Sequence, residues 1–300
     1  MAIDLQELIR IDAIKDDLLE QQDIQLDILR LDEIHPIVSG NKWFKLKYNI
    51  ADAIENGHDS VLTFGGAHSN HLIAAAAAAK VFGLRSVGII RGFHGKEKYT
   101  DTLHACEEMG MQLHFTSRED YNRKEEENFW NALQMEFGKC YIIPEGGNDV
   151  NGRKGTAEIS NYIPDAYTHV ALAIGTGATF AGIRASLNDN IQMLGFTVMK
   201  GGMYLKEEIR QSLPESKVNW SIVADYHFGG FAKSDDDLIA FMNHFYTKHS
   251  VPLDQVYNAK LLSGVMDLIK NNAFPKGSKV LCVHTGGLQG NNSIKNKLLF

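Results

Sequence analysis

Lys42 and Lys45 stand three residues apart at the start of an apolar-periodic run (Trp43, Leu46, Ile50, Ala53, Ile54), just after the loop and cap types Ser39-Gly40-Asn41. The spacing predicts a helix that begins near Asn41. Lys42 then falls in the first helical turn, where unpaired backbone N–H groups and the positive end of the dipole disfavour an ammonium ion. A lysine so placed is pressed to give up its proton, which an amine must do before it attacks a carbonyl. Lys45, one turn on and on the same face, is placed to hold an anion beside that amine. A pair of solvated lysines on a surface helix is the competing account, and on these residues alone it is the stronger one.

Four other stretches carry polar groups at turns. Gly175-Thr176-Gly177-Ala178-Thr179 follows an apolar run and opens a helical one. Small residues let backbone N–H groups approach an anion at a helix start, although a tight strand-to-helix turn needs the same residues. A Walker A loop is excluded because no Gly-Lys-Ser/Thr follows. The dinucleotide fingerprint fails at Phe180, and the Gly195 to Val198 segment has no acid to hold a ribose. A phosphate without a ribose remains. Phe64-Gly65-Gly66-Ala67-His68-Ser69-Asn70-His71 places cap types at another helix start, suited to backbone capping or to clamping a carboxylate. His68 and His71 lack a nearby third ligand, so no metal site is expected. Tyr257, in Val256-Tyr257-Asn258-Ala259-Lys260, reads by itself as a helix-start aromatic. His284-Thr285-Gly286-Gly287 ends a strand, where α/β sheets place ligands.

The elements that must position these groups alternate regularly. Asp23 to Asp32 predicts a half-exposed strand near a domain edge. After the Lys42 helix come a strand at 61–64, a helix at 69–82 and a strand at 86–91. A helix at 100–109, a strand at 111–115, one long charged helix at 118–137 and a strand at 140–143 follow. Pro144-Glu145-Gly146-Gly147-Asn148 is the best boundary. A second series has helices near 153–162, from 178, at 235–249 and at 256–270, with strands at 168–174, 193–198, 220–223 and 279–283. Alternation of this kind means parallel sheets covered by helices, an α/β fold in two units.

The formal charge of −7 argues against a general binder of nucleic acid or anionic membranes. Residues 1–7 carry acid where a signal peptide carries base, and no apolar run is long enough to cross a bilayer. Cys106, Cys140 and Cys282 are odd in number and unclustered, so reduced, buried thiols of a cytoplasmic protein are expected.

Taken together, Gly40-Asn41-Lys42 with Lys45 and Leu46 resembles the segment that carries the Schiff-base lysine in the D-cysteine desulfhydrase and 1-aminocyclopropane-1-carboxylate (ACC) deaminase family. The resemblance runs through nearly the whole chain and at least five motifs in order. It implies pyridoxal phosphate (PLP) as cofactor and the two-domain, open parallel-sheet fold of the tryptophan synthase β type (fold type II). Residues 1–38 and 150–300 would form the larger PLP-binding domain and 39–149 the smaller, with the active site in the cleft between them. Lys42 would bear PLP, with Lys45, Asn70 and the loop Gly175, Thr176, Gly177, Ala178 and Thr179 on its phosphate. Ser69-Asn70-His71 resembles the family's Gln-Ser-Asn-His/Gln motif and would receive the substrate carboxylate, with Ser69 counted as catalytic. Val256-Tyr257 with Lys260 resembles Val-Tyr-x-x-Lys, making Tyr257 an acid–base or positioning group.

In the family, a threonine at the place of Thr285 hydrogen-bonds the pyridine nitrogen. A neutral hydroxyl there makes a weaker electron sink and favours prompt loss of a β-leaving group. ACC deaminases resemble one another in having leucine at that place and a glutamate nearer Tyr226 to Lys233, where this chain has no acid in the matching slot. The family often has tyrosine where Phe231 stands, so Phe231 is a departure at a substrate-facing position. The resemblance therefore leans toward a desulfhydrase-like PLP lyase acting on a small amino acid, with a 2-oxo acid, ammonia and sulfide as the implied products. ACC deaminase and a non-catalytic PLP-binding protein are the alternatives. A homodimer is implied by the same analogy, while the charge leaves no nucleic-acid or membrane partner expected.

Overall fold

The computed structural model describes residues 8–35, 38 and 40–300. Ser39 and the acidic start at 1–7 lie outside the described residues. In chain order the elements are β1 (Arg10–Ile14), α1 (Asp17–Gln22), β2 (Gln25–Arg30), α2 (Asn41–Glu55), β3 (Ser60–Gly65) and α3 (Asn70–Val81). There follow β4 (Arg85–Arg91), α4 (His94–Glu97), α5 (Asp101–Glu108), β5 (Met111–Thr116), α6 (Arg118–Asn122), α7 (Glu127–Phe137) and β6 (Tyr141–Ile143). The remainder is α8 (Val150–Ala157), β7 (His169–Ile174), α9 (Ala178–Ser186), β8 (Gln192–Thr197), α10 (Leu205–Gln211), β9 (Trp220–Val223), α11 (Asp236–His249), α12 (Asn258–Lys270) and β10 (Lys279–His284). Among the described residues, one compact unit takes 8–35, 40–41 and 156–300, and the other takes 38 and 42–155.

The first unit is built on a six-stranded sheet in the order β1-β2-β10-β7-β8-β9. Only the β1–β2 pair is antiparallel, and the other neighbours run parallel. Inner strands of such a sheet are covered on both faces and read as nearly continuous apolar runs. Ala171, Ala173, Phe196, Val280 and Cys282 pack with Leu261, Leu262 and Val265 of α12 in one core. Arg184 lies in the last turn of α9, its guanidinium donating to the carbonyls of Leu187 (2.8 Å) and Ile191 (2.8 Å).

The second unit carries a four-stranded parallel sheet, β5-β4-β3-β6. The alanines at 74–79 of α3 are all buried, because side chains of one carbon let the helix backbone lie close to the sheet and to its neighbouring elements. Phe64, Val87, Ile89, Tyr121 and Leu133 form a further core of this unit.

Three sequence expectations are corrected. The segment at 23–32 lies near the sheet edge as expected, but it is a buried strand and not a half-exposed one. The short β1 takes the edge, and Leu26 to Arg30 are buried. Its polar residues are paired: Asp27 accepts from the Tyr167 hydroxyl at 2.7 Å, and Arg30 donates to Asp12 (2.7 Å) and Asp32 (2.6 Å). The single helix expected at 118–137 is two, since Ser117 caps α6 and the Trp130 indole donates to the Lys124 carbonyl at 2.6 Å in the break. The helix expected at 153–162 is α8 followed by a 3-10 helix at Glu158–Tyr162. Cys106, Cys140 and Cys282 are all buried. No helix among the described residues is long and apolar enough to cross a membrane.

Candidate active site

In the six-stranded unit, the site is assembled where β7 and β10 end. β7 stops at Ile174, and the 175–179 turn leads into α9, whose first turn has no side-chain cap. Gly177 has φ +80°, and a Cβ there would meet Ile209 Cγ1 at 2.9 Å. A Cβ on Gly175 would meet the Tyr257 ring edge at 3.2 Å and its hydroxyl at 3.3 Å. Tyr257 therefore lies directly against this turn. Phe231 in turn meets Tyr257 edge-on, with ring centroids 6.1 Å apart.

The buried Asp254 carboxylate accepts from the backbone N–H groups of Val256 (3.0 Å), Tyr257 (2.8 Å) and Asn258 (2.9 Å), and from the Asn258 side chain. This cap delays α12 to Asn258, two residues later than the sequence suggests. Asn258 then spans to the end of β10. Its Oδ1 accepts from Thr285 N at 3.1 Å and its Nδ2 donates to Gly286 O at 2.8 Å. Thr285 is buried and its own carbonyl accepts from Asn41 N at 3.2 Å. Asn41 Nδ2 donates to Thr179 Oγ1 at 2.8 Å. The residue before Lys42 is thus bonded both to the 175–179 turn and to the Thr285 turn.

In the other unit, Lys42 is the second residue of α2 and half-buried. Lys45 is buried, and its Nζ donates to Gly146 O at 2.8 Å. Burial, and then the nearby Lys42 cation, push the Lys45 ammonium well below its ordinary range. Ser69 caps α3, its hydroxyl accepting from Leu72 N at 3.4 Å. Asn70 and His71 open that helix. Asn70 Oδ1 and His71 Nδ1 are buried with no hydrogen-bond partner among the described residues.

The tautomer of His71 follows from its neighbour. Thr63 Oγ1 donates its one proton to Ile143 O at 2.8 Å, so it accepts from His71 Nε2 at 2.9 Å. Burial, then Lys42 and Lys45, hold the imidazole well below its usual protonation range, so Nδ1 keeps a bare lone pair. That lone pair accepts a donor and cannot itself bind a carboxylate. Any carboxylate clamp on this helix start must use Ser69, Asn70 and backbone N–H groups.

Sequence reasoning missed Asn41 as a tether, the Asp254–Asn258 clamp and Thr63. Asn41 and Asp254 carry a local signal, a cap-type residue before a helix, whereas their partners lie far off in sequence. No group of three or more His, Cys, Asp or Glu among the described residues is placed to hold a metal ion.

These features fit a phosphate-bearing aldehyde such as PLP. In the 175–179 turn the glycines let the backbone pack directly against Tyr257 and Ile209, and the helix N–H groups there have no side-chain cap and are suited to a phosphate. Thr285 supplies a buried hydroxyl residue for a ring nitrogen, and the orphaned atoms of Asn70 and His71 lie on the helix expected to meet substrate.

Comparison with known proteins agrees. A family model described as pyridoxal-phosphate dependent enzyme matches residues 18–286. A bifunctional D-cysteine desulfhydrase/1-aminocyclopropane-1-carboxylate deaminase of Arabidopsis thaliana, mitochondrial by name, is 30% identical over 84% of this chain and 70% of that one. A D-cysteine desulfhydrase of Klebsiella pneumoniae is 26% identical over 86% of each chain. The crystal structure of an ACC deaminase homologue superposes with a TM-score of 0.84 at 27% identity, covering 97% of this chain and 93% of that one. The fold is type II of the PLP enzymes, and the chain belongs to the family of pyridoxal-phosphate dependent enzymes.

Proposed function

We propose that this enzyme removes the β-substituent of a small amino acid, D-cysteine foremost, and with one water yields a 2-oxo acid, ammonia and sulfide. The observation that carries this reading is Thr285 at the end of β10, buried and held by Asn258 and Asn41. PLP, when bound, supplies the electron sink for bonds broken at the substrate α-carbon. A threonine hydroxyl toward its ring nitrogen suits a reaction that expels a leaving group promptly.

The chain's residues divide the remaining work. Lys42 would hold the cofactor, and its free amine would take the substrate's α-proton as general base. The 175–179 backbone would hold the phosphate, with the Lys45 amine and the Asn70 amide as further donors to it. Ser69, Asn70 and the first N–H groups of α3 receive the carboxylate. His71 offers an acceptor beside them, and Phe231 lines the substrate side of Tyr257. Tyr257 delivers a proton to the departing thiol or orients it. The same residues suit ACC deamination, and the relatives' names include both activities. We further assign the enzyme to the cytoplasm, as a homodimer acting on a free amino acid.

The test is product analysis of the PLP-loaded protein with D-cysteine, D-serine and ACC. Sulfide and pyruvate from D-cysteine, at the highest kcat/KM of the three, are expected. 2-Oxobutyrate from ACC as the dominant product sinks the desulfhydrase reading, and no product with any of them leaves a PLP carrier.

A further inference from the structure

Lys260 takes no part in the chemistry proposed above, yet it is among the largest fully buried side chains of the protein. It lies one turn after Tyr257 on α12. Its Nζ donates to two carbonyls of a single loop, His227 at 2.8 Å and Gly230 at 2.7 Å. A buried ammonium is costly unless its donors are met, and here both partners come from one short segment.

That segment does not hold its shape cheaply. Phe228, Gly229, Gly230 and Ala232 all have positive φ, and two of them carry side chains. Its ends are tied to the same region of the unit. The Tyr226 hydroxyl donates to Asp267 on α12 at 2.7 Å, and Ser234 Oγ donates to Gln255 Oε1 at 2.8 Å. Between these ties Phe231 is 53% exposed, and its ring meets Tyr257. The Lys260 clamp ties the strained middle of the loop to α12, and without it the Phe231 ring loses its fixed seat.

We infer that Lys260 is a positioning residue for substrate selectivity: by clamping the carbonyls of His227 and Gly230 it holds Phe231 beside Tyr257 as an apolar wall for the substrate's β-substituent. The wall packs against a thiol and gives no hydrogen bond to a hydroxyl. This rests on the lyase reading above, and the loop's anchorage is measured separately from turnover.

The experiment compares wild type, Lys260→Met and Lys260→Gln as PLP-loaded proteins. Chymotryptic cleavage after Phe231 reports loop anchorage, and KM and kcat for D-cysteine and D-serine report selectivity. Removing two charge-assisted hydrogen bonds predicts cleavage at least about tenfold faster in Lys260→Met, with Lys260→Gln between. The KM for D-cysteine rises about tenfold while kcat stays within about threefold, and the preference over D-serine shrinks by about tenfold. Unchanged cleavage overturns the clamp. Faster cleavage with an unchanged preference overturns the selectivity role. Should both variants fail to fold, Gly230→Ala carries the test, because φ +121° strains an alanine while its nearest neighbour, Lys200 Cβ, is 3.7 Å away. The same changes are expected there, and their absence counts against the inference. A wild type that turns over neither substrate defeats the lyase reading instead, while the cleavage comparison still reports on the clamp.

Discussion

Gly40→Ala puts the site's most exacting contact under strain with a single methyl group. Gly40 has φ +64°, where an L side chain costs about 1–2 kcal/mol. Its Cβ would also overlap the carbonyl of Thr285, and even the mildest of its three contacts, Gly286 N at 2.8 Å, is closer than real Cβ atoms come. All three atoms are backbone, so none can rotate away. The chain at 40–41 or the turn at 285–286 must shift by on the order of 1 Å, a displacement that costs about 10²-fold when it misplaces reacting groups. It would pull Asn41 from Thr285 and Thr179 and carry Lys42, the next residue, with it.

Gly57 supplies the control at the other end of α2. It has φ +70° and nothing within 4 Å of a Cβ, so Gly57→Ala suffers the conformational cost alone. The assay is PLP affinity by absorbance titration, alongside thermal unfolding. Gly57→Ala should lose a few degrees of Tm, at about 2–4 °C per kcal/mol, and keep its cofactor affinity. Gly40→Ala should lose cofactor affinity well beyond any change in Gly57→Ala, together with about 10²-fold in turnover. Equal affinities in the two variants would refute the placement of 40–41 against the Thr285 turn as a requirement of the site.

Three further outcomes follow from the geometry. Thr63→Val removes the acceptor of His71 Nε2–H and leaves a buried donor and the Ile143 carbonyl unmet, at about 1–3 kcal/mol for each; ring-nitrogen NMR should show the Nε2–H form in wild type and lose it in the variant. Burial would raise the carboxyls of Asp12 and Asp32, but Arg10 and Arg30 hold the first, and His284 and Arg30 the second, below the ordinary range. Such lowered carboxyls stabilise the fold fully above their unfolded value of about 3.9, and the effect is lost as pH falls through the lower folded values. Arg30→Met should therefore unfold at a higher pH on acid titration and be less stable by about 3–5 kcal/mol at neutral pH; an unmoved acid midpoint counts against the pairing. Tyr257→Phe should bind PLP as wild type does and lose about 10²-fold in kcat, whereas undiminished kcat removes Tyr257 from the chemistry.

The local signals in the sequence were good guides to single elements and poor guides to their partners. The start of α2 at Asn41, the Ser69 cap of α3 and the uncapped turn before α9 each follow from residues within a few positions. Strand β2 was misread because its alternation of apolar and polar residues mimics a surface strand. Asp27 and Arg30 are buried only because Tyr167 and Asp12, distant in sequence, meet them. The break between α6 and α7 depends on an indole folding back onto Lys124, which no helical period reveals. At the site, the glycine turns and Lys42 were legible by type. The Asn258 span to Thr285 and the Asn41 tether to Thr179 join positions 27 and 138 residues apart, and only the folded chain brings them together.

The most direct test of the account is the attachment point of the cofactor. Borohydride reduction of the PLP-loaded protein, followed by peptide mapping, should place a single pyridoxyl group on Lys42, and Lys42→Ala should take up none. A label on Lys45 or any other lysine, or a fully labelled Lys42→Ala protein, contradicts it.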